Sequence, residues 1–184
     1  MEECFRNTEV AKDVGGSMRS TRVDRLNSAG TEQARAMLLA CAAVPRWADE
    51  IVRGRPYASV EDALEAARQA AQPWTDEEID AALARHPRIG ERPEGGEADA
   101  AHSRREQAGV TGAGADVARR LAEGNRAYEA RFGHVFLIRA AGRGPEEILA
   151  ALDERLTNDP ATERRTAAEQ LREIAVLRLE GELT

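Results

Sequence analysis

Only seven of the 184 residues are aromatic, only two are cysteine, and among 26 cations only Lys12 is a lysine. Long apolar runs are also missing, since none approaches the roughly 20 residues that a membrane-spanning helix needs. Each scarcity excludes something. Two cysteines, Cys4 and Cys41, cannot build a disulfide scaffold, so a reducing compartment, the cytoplasm, is expected. Positive charge is in deficit: 26 Lys and Arg face 33 Asp and Glu, for a formal net charge of −7. A protein that binds nucleic acid through backbone charge is normally basic, so neither nucleic acid nor membrane is expected as a partner. The 25 arginines and 35 alanines match the codon usage of a GC-rich genome and carry no function by themselves. A hydrophobic fraction of 42% against 32% charged is too high for wholesale disorder, and the length suits one domain with a proper core.

What is present is helical punctuation. Residues 1–23 mix charges, Gly15–Gly16 and serine without periodicity or an apolar h-region, and are expected to form a flexible tail rather than a secretory signal. Beyond them, Thr31 leads into Ala34, Met37, Leu38 and Cys41 at i, i+3, i+4, i+7 spacing. Pro45 suits the first turn of a short helix carrying Trp47 and Ile51. Ser59-Val-Glu-Asp62 is an N-cap pattern and Thr75-Asp-Glu-Glu78 a full capping box, with Pro73 closing the helix between them. After a break at His86-Pro87, helix is expected around Ser103 and again from Ala115 to Phe132, where Gly133 is a natural C-cap. His134 to Ile138 reads as a short extended or buried run. Gly144-Pro145 opens a helix to about Leu156, and Asp159-Pro160 opens a long one through Leu179. The expected class is all-α: one compact bundle of about seven to nine helices over residues 24–184, with no internal repeats.

Three places resist explanation as packing. His86 stands at a helix end because Pro87 disfavours helix before it. There it either satisfies the last carbonyls and the helix dipole or passes a proton near neutral pH. Ser103-x-x-Glu106 is a capping box by spacing. The same helix start, with Gln107, also offers N–H donors, a hydroxyl, a carboxylate and an amide to a polar ligand. In the third stretch, Tyr128, Phe132 and Phe136 recur every four residues, as a core stripe would. If the run from His134 to Ile138 lies outside any sheet, its backbone polar groups need partners, and a ligand is one candidate. Arg178 adds a puzzle of its own, since it shares an apolar face with Leu171, Ile174 and Ala175. A guanidinium so placed needs a carboxylate, a carbonyl or a ligand, and spacing alone favours a salt bridge to a neighbouring helix.

In order, His86-Pro87-Arg88-Ile89-Gly90, Ser103-x-x-Glu106-Gln107-x-Gly109, Asn125-x-x-Tyr128-x-x-Arg131-Phe132-Gly133-x-x-Phe136 and the Arg178 of Leu-Arg-Leu resemble the OHCU decarboxylase family. These enzymes act on 2-oxo-4-hydroxy-4-carboxy-5-ureidoimidazoline, at the last step from urate to (S)-allantoin. The resemblance covers about residues 24–181. It implies an all-helical fold, usually a homodimer, working on a small ureide with no metal and no organic cofactor. By matching position it makes His86 the acid/base and Glu106 its partner. Pro87, Ser103 and Gln107 would line the substrate pocket, and the backbone of His134, Val135, Phe136, Leu137 and Ile138 would bind ureide and ring amides. Arg178 would bind the leaving carboxylate.

Two rival classes remain at this stage. A metal-dependent hydrolase would use His86, His102 and His134, but no His-x-x-x-His or Glu-x-x-His pair exists to give ligand spacing. A non-catalytic helical module binding a partner through an apolar face is the other.

Overall fold

The computed structural model describes residues 22–70, 72–89 and 114–184. These hold eight α-helices and, among the described residues, no strand. The helices are α1 (Arg22–Ser28), α2 (Thr31–Cys41), α3 (Pro45–Arg53), α4 (Val60–Ala70), α5 (Asp76–Leu83), α6 (Ala115–Phe132), α7 (Pro145–Arg155) and α8 (Pro160–Leu183). None of them is long and apolar enough to cross a membrane. The all-α expectation is met, and the caps explain most of the boundaries. Ser59 Oγ accepts the Asp62 N–H at 3.1 Å, and Thr75 and Glu78 complete a reciprocal box at the start of α5. Asp159 accepts the N–H groups of Ala161 and Thr162, both at 3.0 Å, ahead of Pro160 at the first helical position. Gly133 closes α6 in the left-handed region at φ 76°.

Two boundaries differ from the sequence reading for a packing reason. Val23, expected in the tail, lies in the first turn of α1 and is 3% exposed in the core. At the other end α8 runs past Leu179 to Leu183, because Leu183 still finds apolar partners. The remainder of the expected tail, residues 1–21, lies outside the described residues.

The buried side chains fall into two clusters. The larger one joins α1 to α5 with Ala168, Leu171, Ile174, Ala175, Leu179 and Leu183 of α8. The smaller one joins α6 and α7 with Ile89, Phe136, Ile138 and Ala140. Residues 135–140 run between the clusters outside any helix or strand, and the side chains of 136–138 go to alternate sides, as they do along an extended chain. Leu137 accordingly packs into the larger cluster, while Phe136, Ile138 and Ala140 pack into the smaller one. The weak alternation visible at 134–138 is therefore real, but the run is mortar between two cores rather than a strand.

Within the smaller cluster α6 and α7 approach closely at Gly124. A Cβ there would meet Leu152 Cδ2 at 2.5 Å, and Leu152 is fully buried. Replacing Gly by Ala in a helix normally gains about 1 kcal/mol, but forcing a methyl into a packed contact costs about 1–3 kcal/mol. Gly124→Ala is expected to lower the melting temperature in thermal unfolding, opposite in sign to the helix-propensity gain.

Candidate active site

His86 lies three residues past Leu83, the last residue of α5, whose C-terminal turn borders a cavity. The cavity, about 630 Å³, is bounded by Asp80, Leu83 and Ala84 on one side and by Glu129, Gly133, His134 and Val135 on the other. It thus sits where the end of α5 meets the C-terminal turn of α6. Asp80 on its rim is held by Arg164 Nη1 at 2.5 Å, which ties α5 to α8.

The imidazole of His86 is oriented by its own helix. Nδ1 lies 2.9 Å from the carbonyl oxygen of Ala82, which can only accept, so Nδ1 carries a proton. The packing role foreseen for a histidine at a helix end is realised at this one nitrogen. Nε2 is buried.

The turn that follows is fastened to α6 by two contacts. Asn125 Nδ2 donates to the carbonyl of Ile89 at 3.0 Å from a buried position. Arg88 Nε and Nη2 bind both carboxylate oxygens of Glu129, at 2.5 and 2.7 Å. The Arg88 guanidinium holds the Glu129 carboxyl below its ordinary value. The Asn125 of the Asn-x-x-Tyr pattern thus fastens the turn after His86 to α6.

On the other side of the cavity the extended run is anchored by a buried polar cluster. Arg155, 7% exposed, donates from Nη1 to the carbonyl of Leu137 at 2.6 Å and from Nε to Glu163 Oε1 at 2.9 Å. Tyr128 donates its hydroxyl to the same carboxylate oxygen, and Asn158 Nδ2 serves Oε2 at 2.8 Å. Burial, then the bond to Glu163, pushes the Tyr128 hydroxyl well above its ordinary value, so it remains a donor throughout the working range. The Arg155 guanidinium lies over the Phe136 ring, 4.7 Å from its centre. Tyr128, Phe132, His134 and Phe136 pack as one aromatic group. His134 turns its Nδ1 to the carbonyl of Val135 at 3.1 Å, so its ring is occupied by the protein. Among the described residues, no partner is provided for the N–H groups of 135–138.

The structure thus brings the end of α5, which leads to His86 and Pro87, to the start of the run from His134 to Ile138. Arg178 does not line that cavity. Its Nη1 reaches the carbonyl of Cys41 at 3.5 Å, where the C-terminus of α2 favours a cation. Ser103, Glu106 and Gln107, like His102, lie outside the described residues. Arg155 and Glu163 were missed by the sequence reading. Glu163 follows a helix start, where an exposed acid serving the dipole is the ordinary expectation, and only tertiary packing makes it fully buried. Among the described residues no three His, Cys, Asp or Glu side chains come together to hold a metal ion.

Known proteins resemble this chain in sequence and in fold. A family model described as OHCU decarboxylase matches residues 27–180. The 2-oxo-4-hydroxy-4-carboxy-5-ureidoimidazoline decarboxylase of Haloferax volcanii is 32% identical over 135 residues, 72% of this chain and 79% of that protein. The protein of the same name from Amia calva is 46% identical over 74 residues, a stretch covering 40% of this chain and 42% of its own length. A crystal structure of OHCU decarboxylase in the presence of (S)-allantoin matches with a TM-score of 0.66 at 26% identity. That match covers 82% of this chain and 96% of the other.

The Arg88–Glu129 pair supplies a prediction. Because the folded Glu129 carboxyl titrates below its ordinary value of 4.5, its contribution is present above that pH and is lost as pH falls through the folded value. Glu129→Gln is expected to lower the melting temperature at pH 7 and to flatten its decline below about pH 4.5, measured by thermal unfolding across pH.

Proposed function

The chain belongs to the OHCU decarboxylase family, and from that premise we propose that it removes CO₂ from OHCU to give (S)-allantoin in urate degradation. The observation that carries this reading is the extent of the match. It spans residues 27–180, and so takes in both His86 and the run from His134 to Ile138. Residues 22–184 are proposed as one catalytic domain. A homodimer in the cytoplasm is the proposed working form.

The chemistry suits these residue types. When CO₂ leaves, the electron pair of the broken C–C bond passes into the substrate's own conjugated C=N–C=O system as an enolate. No external electron sink is therefore needed. What the protein supplies is orientation, amide donors for developing negative charge, and a proton on one face. Backbone groups of His134 to Ile138 are proposed to bind the ureide and ring amides. His86 Nε2 is the proposed proton donor, its tautomer already set by Ala82, and delivery from one side accounts for a single enantiomer. Glu106 is proposed as its partner, favouring the protonated imidazole. Pro87, Ser103 and Gln107 are proposed as pocket residues. Arg178 is proposed to bind the leaving carboxylate, on the resemblance alone.

His86→Asn is expected to fold with an unchanged melting temperature while kcat on freshly generated OHCU falls by a factor on the order of 10²–10⁴, the scale of lost acid–base catalysis. Near-wild-type turnover would remove His86 from the role. Glu106→Gln separates two roles: lost activity at unchanged melting temperature supports catalysis, and lost stability with retained activity supports capping. Turnover that survives exhaustive chelation is expected from a reaction without a metal.

A further inference from the structure

We propose that Arg155 and Gln170 are positioning residues that fix the register of the 135–138 backbone in the substrate site, an inference that rests on the decarboxylase reading above. An extended chain normally takes its register from a neighbouring strand, and among the described residues this run has none. Two side chains stand in for the missing ladder. Arg155 Nη1 donates to the Leu137 carbonyl at 2.6 Å, and Gln170 Oε1 accepts the Arg139 N–H at 2.8 Å. In an extended chain the polar groups of alternate residues face opposite edges. Leu137 and Arg139 therefore present one edge to α7 and α8, which leaves the N–H groups of Phe136 and Ile138 on the other edge for a ligand.

The Arg155 end of this clamp is rigid. Its guanidinium is fixed by Glu163, by the Tyr128 hydroxyl at 3.2 Å and by the Phe136 ring beneath it. A planar fork can serve Glu163 and the Leu137 carbonyl together, whereas an ammonium at the end of a lysine cannot span both. Gln170 is half-buried and outside both apolar clusters, so its truncation leaves the cores intact.

The test is steady-state turnover of OHCU with chiral detection of allantoin in wild type, Gln170→Ala, Gln170→Glu and Arg155→Lys. Gln170→Ala is expected to raise KM by about fivefold or more and to erode the enantiomeric excess, with little change in melting temperature. Gln170→Glu keeps the acceptor and is expected to stay within about twofold of wild type, while Arg155→Lys behaves like Gln170→Ala. Unchanged KM, kcat and enantiomeric excess in Gln170→Ala would overturn the clamp, whether or not Arg155→Lys folds. Absence of turnover in wild type would instead remove the decarboxylase reading. The clamp is then judged by hydrogen exchange: amides 136–140 are expected to exchange about tenfold faster or more in Gln170→Ala, and an unchanged rate overturns it.

Discussion

A buried guanidinium joins the parts of this protein that would otherwise only touch. Arg155 comes from the last turn of α7, its carboxylate partner Glu163 from the first turns of α8, and its third contact is the main chain of Leu137. With the Tyr128 hydroxyl from α6, four segments meet on one ion pair. Removing one partner of such a pair typically costs about 3–5 kcal/mol, because the other charge is left buried without compensation. The cluster contains no ring nitrogen or thiol suited to chemistry. Its role is to hold an unpaired stretch of backbone where helices alone could not.

That stretch explains why a cavity exists in a helical bundle at all. Two helices pack by interlocking side chains and leave little room between them. A chain without helix or strand, laid between two cores, separates them. Across the gap α5 ends at the cavity and leads on to His86, whose ring is held by a carbonyl four residues earlier and whose following turn is fastened to α6 by Asn125 and Glu129. Each side of the cavity is thus held by contacts distant in sequence from the residues it presents.

Much of this was legible in the sequence because much of it is local. The Thr75–Glu78 box, the Asp159-Pro160 start, and Gly133 as a C-cap depend on neighbours within four residues, and each lies where the pattern placed it. His86 was legible for the same reason, since Pro87 must end the helix there. The contacts that fasten the site were not. Asn125 meets Ile89, Arg88 meets Glu129 and Arg155 meets Leu137 across 18 to 41 residues, and no periodicity encodes such pairs. Arg178 shows the same limit. Its place on an apolar stripe was plain, whereas the carbonyl of Cys41 that it reaches follows only from how α2 meets α8.

Helix α8 has a consequence for how the molecule comes apart. Its 24 residues extend about 36 Å, and its first turns serve the ion pair beside the smaller core while its later turns form a wall of the larger one. The larger core is incomplete without it, and the smaller one relies on its Glu163 to hold Tyr128 and Arg155. Melting of the larger core frees α8 and withdraws that carboxylate, so the two halves unfold as a single cooperative unit. The cavity between them is therefore a property of the whole fold, opened and closed with it, and no fragment carrying only one core retains it.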